Sequence, residues 1–359
     1  MTSSNRARRA GAAAALAVAP FALAWRFAHV YRSRAGYPRP SAPTSDPSDF
    51  GLPFETRIIR TPDGLDLPAW WIRAPGELPT PAVVLVHGWE SARHRTLPNA
   101  QVLHALGYHV LTVDIRGHGL NPAETIPVSA GEFGTDALAA VEAALADDRV
   151  TKVAVLGHSM GSIGAILAVA AEPRVAAAIL TATPADPYRL TRQTFRLARL
   201  PIPDPIAYPL AWLTTRVYLE PRGHTVDAIS ATTAIRSFRG PILAIHGTDD
   251  HVVPVSHLAR LVHAAWSARA DDPHRAPIVE LAIEGGQHSW LYEYPAYRAA
   301  IGRFLAEALD GPLSPSDAAR VAEAVDTRRP SEPDHAFSAI TPDKGPDATD
   351  AAAAARSGG

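Results

Sequence analysis

The chain is predicted to be an α/β protein: a mostly parallel eight-stranded sheet with helices on both faces and a small helical lid. Three observations predict it. Between residues 81 and 309, short apolar runs rich in β-branched residues alternate with Ala- and Leu-rich helical stretches. That is the pattern of strands buried on both faces and joined by crossover helices. An antiparallel pair precedes them, residues 55–61 and 66–73 around the turn Pro62-Asp63-Gly64. At the centre, residues 150–171 pass from a buried strand straight into an apolar helix through Gly157-His158-Ser159-Met160-Gly161.

Each element follows in order. Residues 1–35 open with Arg6, Arg8 and Arg9, then an apolar run from Ala10 to Trp25 broken by Pro20. That run is 16 residues, short of the roughly 18 of a clear membrane span. Extending it to Tyr31 takes in Arg26 and His29. The segment reads as a single N-terminal membrane anchor, with membrane association through residues 10–31. The alternatives are a cleaved export signal ending at Ala22-Leu23-Ala24 and an Ala-rich helix packed on a cytoplasmic domain. Residues 36–53 are rich in Pro, Ser and Asp and read as a linker.

The compact domain is expected over 54–310. After the hairpin come a strand at 81–86, a helix at 97–106, a strand at 108–114, an amphipathic helix at 133–146, the central strand, turn and helix, and a strand at 175–181. Residues 184–240 break the alternation and are too long for a bare loop. They read as the lid, with Phe195, Tyr208 and Trp212 as lid core or, alternatively, as walls of an acyl pocket. A strand at 241–245, a helix at 255–268, a strand at 278–283 and a helix at 294–309 complete the fold. Residues 311–359 are expected to be a disordered tail.

Composition narrows the function. Hydrophobic residues make up 47% of 359, enough for a large core. The net charge of −2 gives no basic footprint for nucleic acid. There is no cysteine, which excludes disulfides and thiol chemistry. No His-Glu-x-x-His or similar spacing calls for a metal, and no cofactor is expected. The partner implied is a small molecule.

In sheets of this class, functional groups collect at the carboxyl ends of strands. Those ends carry His87-Gly88-Trp89, Ser159, Asp249-Asp250 and His288. A serine hydroxyl needs a base in hydrogen-bond reach, and the base needs a partner to fix its tautomer. Histidine suits the base and a carboxylate the orienter. The tight strand-to-helix turn at Ser159 requires glycine on both sides and aims the helix N–H groups at a developing oxyanion. Adjacent Asp249 and Asp250 leave the acid open. His251 reads as exposed, and His158 as a packing or hydrogen-bonding neighbour. His87, His118 and His246 read as loop-shaping. Glu90 and Arg93 read as a solvated loop or as substrate contacts.

From about residue 54 to 309 the sequence resembles the α/β-hydrolase family of serine hydrolases. The matching pieces are His87-Gly88-Trp89, Asp114 through Gly119, Gly157 through Gly161, Gly247-Thr248-Asp249-Asp250-His251-Val252-Val253-Pro254 and Gly286-Gln287-His288. The resemblance implies Ser159 as nucleophile, Asp250 as triad acid by its spacing from Gly247, and His288 as general base. It also implies an oxyanion hole from the backbone N–H groups of Trp89 and Met160. The expected function is hydrolysis of a carboxylic ester through an acyl-enzyme, the anchor reading pointing to a lipid-derived ester. An amidase, peptidase or thioesterase on the same triad, or a silent binding protein, is the alternative. The N-terminal segment, linker and hairpin also resemble membrane-tethered bacterial members with a short helical lid.

Overall fold

A computed structural model describes residues 3–330. The chain opens with α1 (Ser3–Ala35), then the hairpin β1 (Phe54–Arg60) and β2 (Asp66–Ile72). β3 (Thr80–Val86), α2 (Leu97–Ala105), β4 (His109–Val113), α3 (Ala130–Leu145), β5 (Val150–His158), α4 (Met160–Ala171) and β6 (Val175–Thr181) follow. An insertion carries α5 (Pro187–Leu197), α6 (Asp204–Leu219) and the single turn α7 (Ala231–Ala234). The chain returns through β7 (Ile242–Gly247), α8 (Ser256–Ser267), β8 (Ile278–Ile283), α9 (Pro295–Leu309) and α10 (Pro315–Ala324).

The eight strands form one sheet in the order β1-β2-β4-β3-β5-β6-β7-β8. β1 pairs antiparallel with β2, and β2 antiparallel with β4. Every other pairing is parallel, as the strand–helix alternation predicts.

Period-two alternation sorts β3 between two cores. Val84 and Val86 join Phe133 of α3 and Ile163 and Ile166 of α4 on one face. Val83 and Leu85 join Leu103 of α2 and Phe304 and Leu305 of α9 on the other. Burying a Val, Leu or Phe side chain stabilises by about 1.5–3 kcal/mol each. A sheet covered on both faces therefore holds its strand ends rigidly, and the functional side chains sit on those ends.

Three sequence expectations are corrected. Pro20 does not break the N-terminal helix; α1 runs through it. The proline lacks a backbone N–H and crowds the Leu16 carbonyl one turn back, and in this exposed middle stretch neither cost ends the helix. The domain does not stop at 310. Pro315–Ala324 is a helix, not disordered, with Ala318, Ala319 and Ala322 buried. Ser314 caps it by accepting the Asp317 N–H, with Pro315 in its first turn. The rest of the expected tail, from residue 331, lies outside the described residues. Finally, α3 begins at Ala130, three residues earlier than expected. Ser129 and Glu132 form a capping box that sets its start.

Candidate active site

Ser159 sits at the end of β5 where the chain turns directly into α4. Its backbone has φ 53° and ψ −121°, a region that a non-glycine residue occupies only under strain. The flanking glycines make the turn possible. A Cβ on Gly157 would lie 2.4 Å from the Gly161 carbonyl oxygen. One on Gly161 would lie 2.3 Å from the carbonyl oxygens of Val86 and His87. The Ser159 N–H donates to the Thr181 carbonyl at 2.9 Å, which ties the turn to β6.

The loops after β7 and β8 bring two more groups to this point. His288 Nε2 lies 3.0 Å from Ser159 Oγ, and His288 Nδ1 lies 2.7 Å from Asp250 Oδ2. Ionised Asp250 can only accept, so His288 Nδ1 carries the proton and Nε2 is left to accept from the serine hydroxyl. All three residues are buried, each 4% exposed. Asp250 Oδ1 accepts the backbone N–H groups of Val252 at 2.9 Å and Val253 at 2.7 Å. Burial opposes ionisation of Asp250. The facing imidazole of His288 and the hydrogen bonds from His246 and His288 outweigh it and hold the carboxyl well below the ordinary carboxylate range.

The structure separates the two adjacent aspartates. Asp249 is exposed, and its carboxylate accepts from Thr248 Oγ1 at 3.4 Å. Asp250 points inward. His251 is exposed, and its carbonyl accepts from Gln193 of α5 at 2.8 Å, which tethers the insertion to the Asp250 loop. His158 is half-buried, bonds to Thr181 Oγ1 at 3.2 Å, and stacks at a tilt 5.1 Å from the His288 ring. His87 spans Gly88 O and the Ile115 N–H, so it shapes the Trp89 loop. His118 packs against Phe133 and Trp89.

Two residues depart from their sequence reading. Arg93 is neither solvated nor at the cavities. Its guanidinium is buried on Asp114 at 2.5 Å, and its backbone N–H donates to the same carboxylate. The Asp114 turn is thereby locked to the Trp89 loop. His246 does more than shape its loop: Nε2 lies 3.2 Å from Asp250 Oδ2 and 2.8 Å from the Val253 carbonyl. It is a second imidazole on the acid, four residues before it in sequence.

Among the described residues, no acceptor takes the backbone N–H of Trp89 or of Met160. Both residues line cavities at the site. One cavity opens directly on Ser159 and His288 and is walled by Arg95, Asn99, Trp290 and Tyr292. The other lies under the insertion, beside Met160 and Ile163 of α4. The two share Trp89 and Glu90. Phe195, Tyr208 and Trp212 wall neither: Phe195 is buried against α1, while Tyr208 and Trp212 face outward.

Such an arrangement has the parts for acyl transfer: a hydroxyl hydrogen-bonded to a base, a carboxylate on the base, and free N–H donors beside it. Comparisons with known proteins bear on the family and the fold. A family model described as serine aminopeptidase, S33, matches residues 78–217. An uncharacterized Mycobacterium tuberculosis protein is 30% identical over 239 residues, 66% of this chain and 74% of that one. Human protein ABHD12B is 27% identical over 248 residues, 66% of this chain and 64% of its own length. Among solved structures, the Pyrococcus furiosus esterase Pf2001 superposes with TM-score 0.60 at 21% identity, covering 76% of this chain and 97% of that one. Pyrococcus horikoshii acylaminoacyl peptidase superposes with TM-score 0.56 at 16% identity, covering 76% and 44%. By the family model over residues 78–217 and the Mycobacterium tuberculosis relative 30% identical to it, on a fold of this class, the chain belongs to the α/β-hydrolase family of serine hydrolases.

Proposed function

We propose that the protein is a carboxylic ester hydrolase that works through an acyl-enzyme on Ser159. The observation that carries the reading is the buried Asp250–His288–Ser159 hydrogen-bond chain, 2.7 and 3.0 Å long at its two links, ending beside two cavities. Ser159 Oγ attacks the substrate carbonyl as its proton passes to His288 Nε2. Asp250 stabilises the imidazolium that forms. The oxyanion is held by the N–H groups of Met160 and Trp89. As the intermediate collapses, His288 returns the proton to the leaving alcohol. Water then gives a proton to His288 as its oxygen attacks the acyl carbon; as the second intermediate collapses, His288 passes that proton to the leaving Ser159 Oγ and the acid departs.

The amide reading draws on the description of the family model and on the acylaminoacyl peptidase likeness. The ester reading is favoured by the cavity under the insertion, whose lining is largely hydrocarbon. Substrates are small-molecule esters of aliphatic, lipid-derived acids.

The N-terminal helix is read as a membrane anchor. Its segment Gly11–Ala35 is long and apolar enough to cross a membrane by length and composition. Residues 11–23 are exposed throughout, and as a helix they measure about 20 Å. Leu16, Phe21 and Leu23 present large apolar side chains there. On α6, which packs against α1, Ile206, Tyr208 and Trp212 are exposed as well. The helix tip inserts, and the outer face of α6 rests at the interface.

The test compares the parent with Ser159→Ala on p-nitrophenyl esters from acetate to palmitate and on matched anilides, with fluorophosphonate labelling. The substitution is expected to lower kcat by about 10⁴–10⁶ and to abolish labelling. A folded parent that takes no probe and cleaves no ester overturns the hydrolase reading. Anilides cleaved with higher kcat/KM than their esters replace ester by amide.

A further inference from the structure

The cavity under the insertion has one wall that the catalytic domain does not supply. Tyr31, Arg34 and Ala35, from the last turns of α1, line it together with Met160, Ile163, Leu190, Leu219 and Ile229. A segment whose only role was tethering would have no reason to close a cavity beside the oxyanion donors.

The contacts holding this wall are specific. The Tyr31 hydroxyl lies 2.6 Å from Thr194 Oγ1 of α5. Phe27 and Tyr31 both meet the buried Phe195 ring edge-on, with centroids 5.3 and 5.7 Å apart. The Tyr218 hydroxyl of α6 donates to the Val128 carbonyl, with the Ala35 carbonyl at 3.4 Å. Just past the helix, the Val128 N–H donates to the Gly36 carbonyl at 2.8 Å. The wall is therefore fastened to the insertion and to the loop that leads into α3.

The lining also states what the cavity takes. Six hydroxyl-bearing residues face it, and each hydroxyl is already engaged inside the protein. Tyr31 bonds to Thr194, and Thr194 to the Thr191 carbonyl. Thr191 bonds to the Pro187 carbonyl, Thr215 to the Ala211 carbonyl, Ser129 to Glu132 and Tyr218 to Val128. With their donors spent, these side chains offer methyls and ring faces. Past the oxyanion donors, a ligand acceptor entering here would lose its water and find no side-chain hydroxyl proton free to replace it, whereas a hydrocarbon chain needs none. Of the charged lining residues, Arg34 is exposed and keeps its head group in solvent, and Glu90 sits where the two cavities meet.

We propose that this cavity is the binding site for a fatty acyl chain, and that Tyr31 and Ala35 of α1 are specificity-determining residues forming one of its walls. The helix that anchors the protein thus also sets which chains Ser159 receives. The proposal rests on the hydrolase reading above.

The test uses the full chain in lipid nanodiscs and two fluorophosphonates that differ only in bearing a methyl or a dodecyl chain. Ser159 Oγ attacks phosphorus, fluoride leaves, and His288 takes the proton, so the labelling rate reports chain fit without turnover. Ala35→Trp pushes bulk into the cavity from the α1 side. It is expected to lower the dodecyl-to-methyl rate ratio at least tenfold. Ala35→Leu, a smaller intrusion, is expected to lower it less. An unchanged ratio in both variants overturns the inference and leaves the hydrolase reading standing. Loss of both labels in both variants makes α1 a purely structural element and overturns it too. A parent labelled by neither probe defeats the hydrolase reading, and the inference falls with it.

Discussion

At the scale of single residues, position decides chemistry more than identity does. Two neighbouring aspartates have opposite fates because one side chain turns into the loop and the other out of it. Asp250 receives two backbone N–H groups and two imidazoles. His246 Nε2–H sits between the Val253 carbonyl and Asp250, so it fixes the loop that presents the acid to His288. We therefore expect His246→Phe to lower ester kcat/KM by about 10–100-fold, the worth of one hydrogen bond to a charged group. His246→Gln, which keeps a donor near the Nε2 position, should recover most of it. A Phe variant as slow as Gln would make the lost donor irrelevant and assign His246 to packing alone. Ser159 and His288 were legible because each stands in a local motif after a strand. Asp250 was distinguished from Asp249 only by family spacing. The contact of His246 with Asp250 was not legible, since it depends on the loop folding back over four residues. Arg93 was misread because its partner, Asp114, lies 21 residues away, in the turn just past β4.

At the scale of elements, periodicity located every strand and most helices, and the misses have local causes. The start of α3 was written in Ser129-Ala130-Gly131-Glu132, whose reciprocal cap outranks the first large apolar residue, Phe133. The start of α10 was written in Ser314-Pro315, a cap followed by a first-turn proline, but tail composition masked it. α10 matters to the core. Arg298 of α9 donates to the carbonyls of Ala322 and Glu323 at its end, and the two helices meet at Gly302. A Cβ on Gly302 would lie 2.4 Å from the Ala318 carbonyl oxygen, so no rotamer change can relieve the clash. Gly302→Ala should force α10 off α9 and destabilise the domain by about 1–3 kcal/mol, the usual cost of overpacking. Urea unfolding checks it. An unchanged midpoint would mean that α10 gives way freely and adds little to the fold. Low activity with an unchanged midpoint is not expected, because α10 lines neither cavity at the site.

At the scale of the whole molecule, the interior holds histidines in their neutral form. Burial pushes His118 down to about 3, with the neighbouring His87 adding to the shift. Burial likewise pushes His257 down to about 4, with repulsion from His246 next. His87 is lowered by burial against the pull of Asp114. Hydrogen bonds fix two of them as acceptors: His257 Nδ1 takes the Ala185 N–H at 2.8 Å and His87 Nε2 the Ile115 N–H at 3.1 Å. Protonation at those nitrogens would replace an acceptor by a second donor. In the unfolded chain each imidazole titrates near about 6.5. Above that value neither state is charged, and these groups leave stability independent of pH. As pH falls below it, the unfolded chain binds protons that the native state refuses. Stability is then lost across the window from about 6.5 down to the folded values, near 4 for His257 and 3 for His118. Each such histidine contributes a slope of about 1.4 kcal/mol per pH unit once the unfolded group titrates fully. The protein should therefore lose stability between pH 6.5 and 5, before carboxylates with ordinary values begin to protonate. Urea midpoints measured at half-unit intervals test this, with His118→Asn carried alongside. Asparagine keeps a donor for the Arg116 carbonyl, which His118 Nδ1 contacts at 2.9 Å, but it has no imidazole to titrate. Its slope should be shallower by one histidine's share. Equal slopes would show that His118 takes up a proton in the native state, and that the pocket formed by Phe133, Trp89 and His87 tolerates the charge.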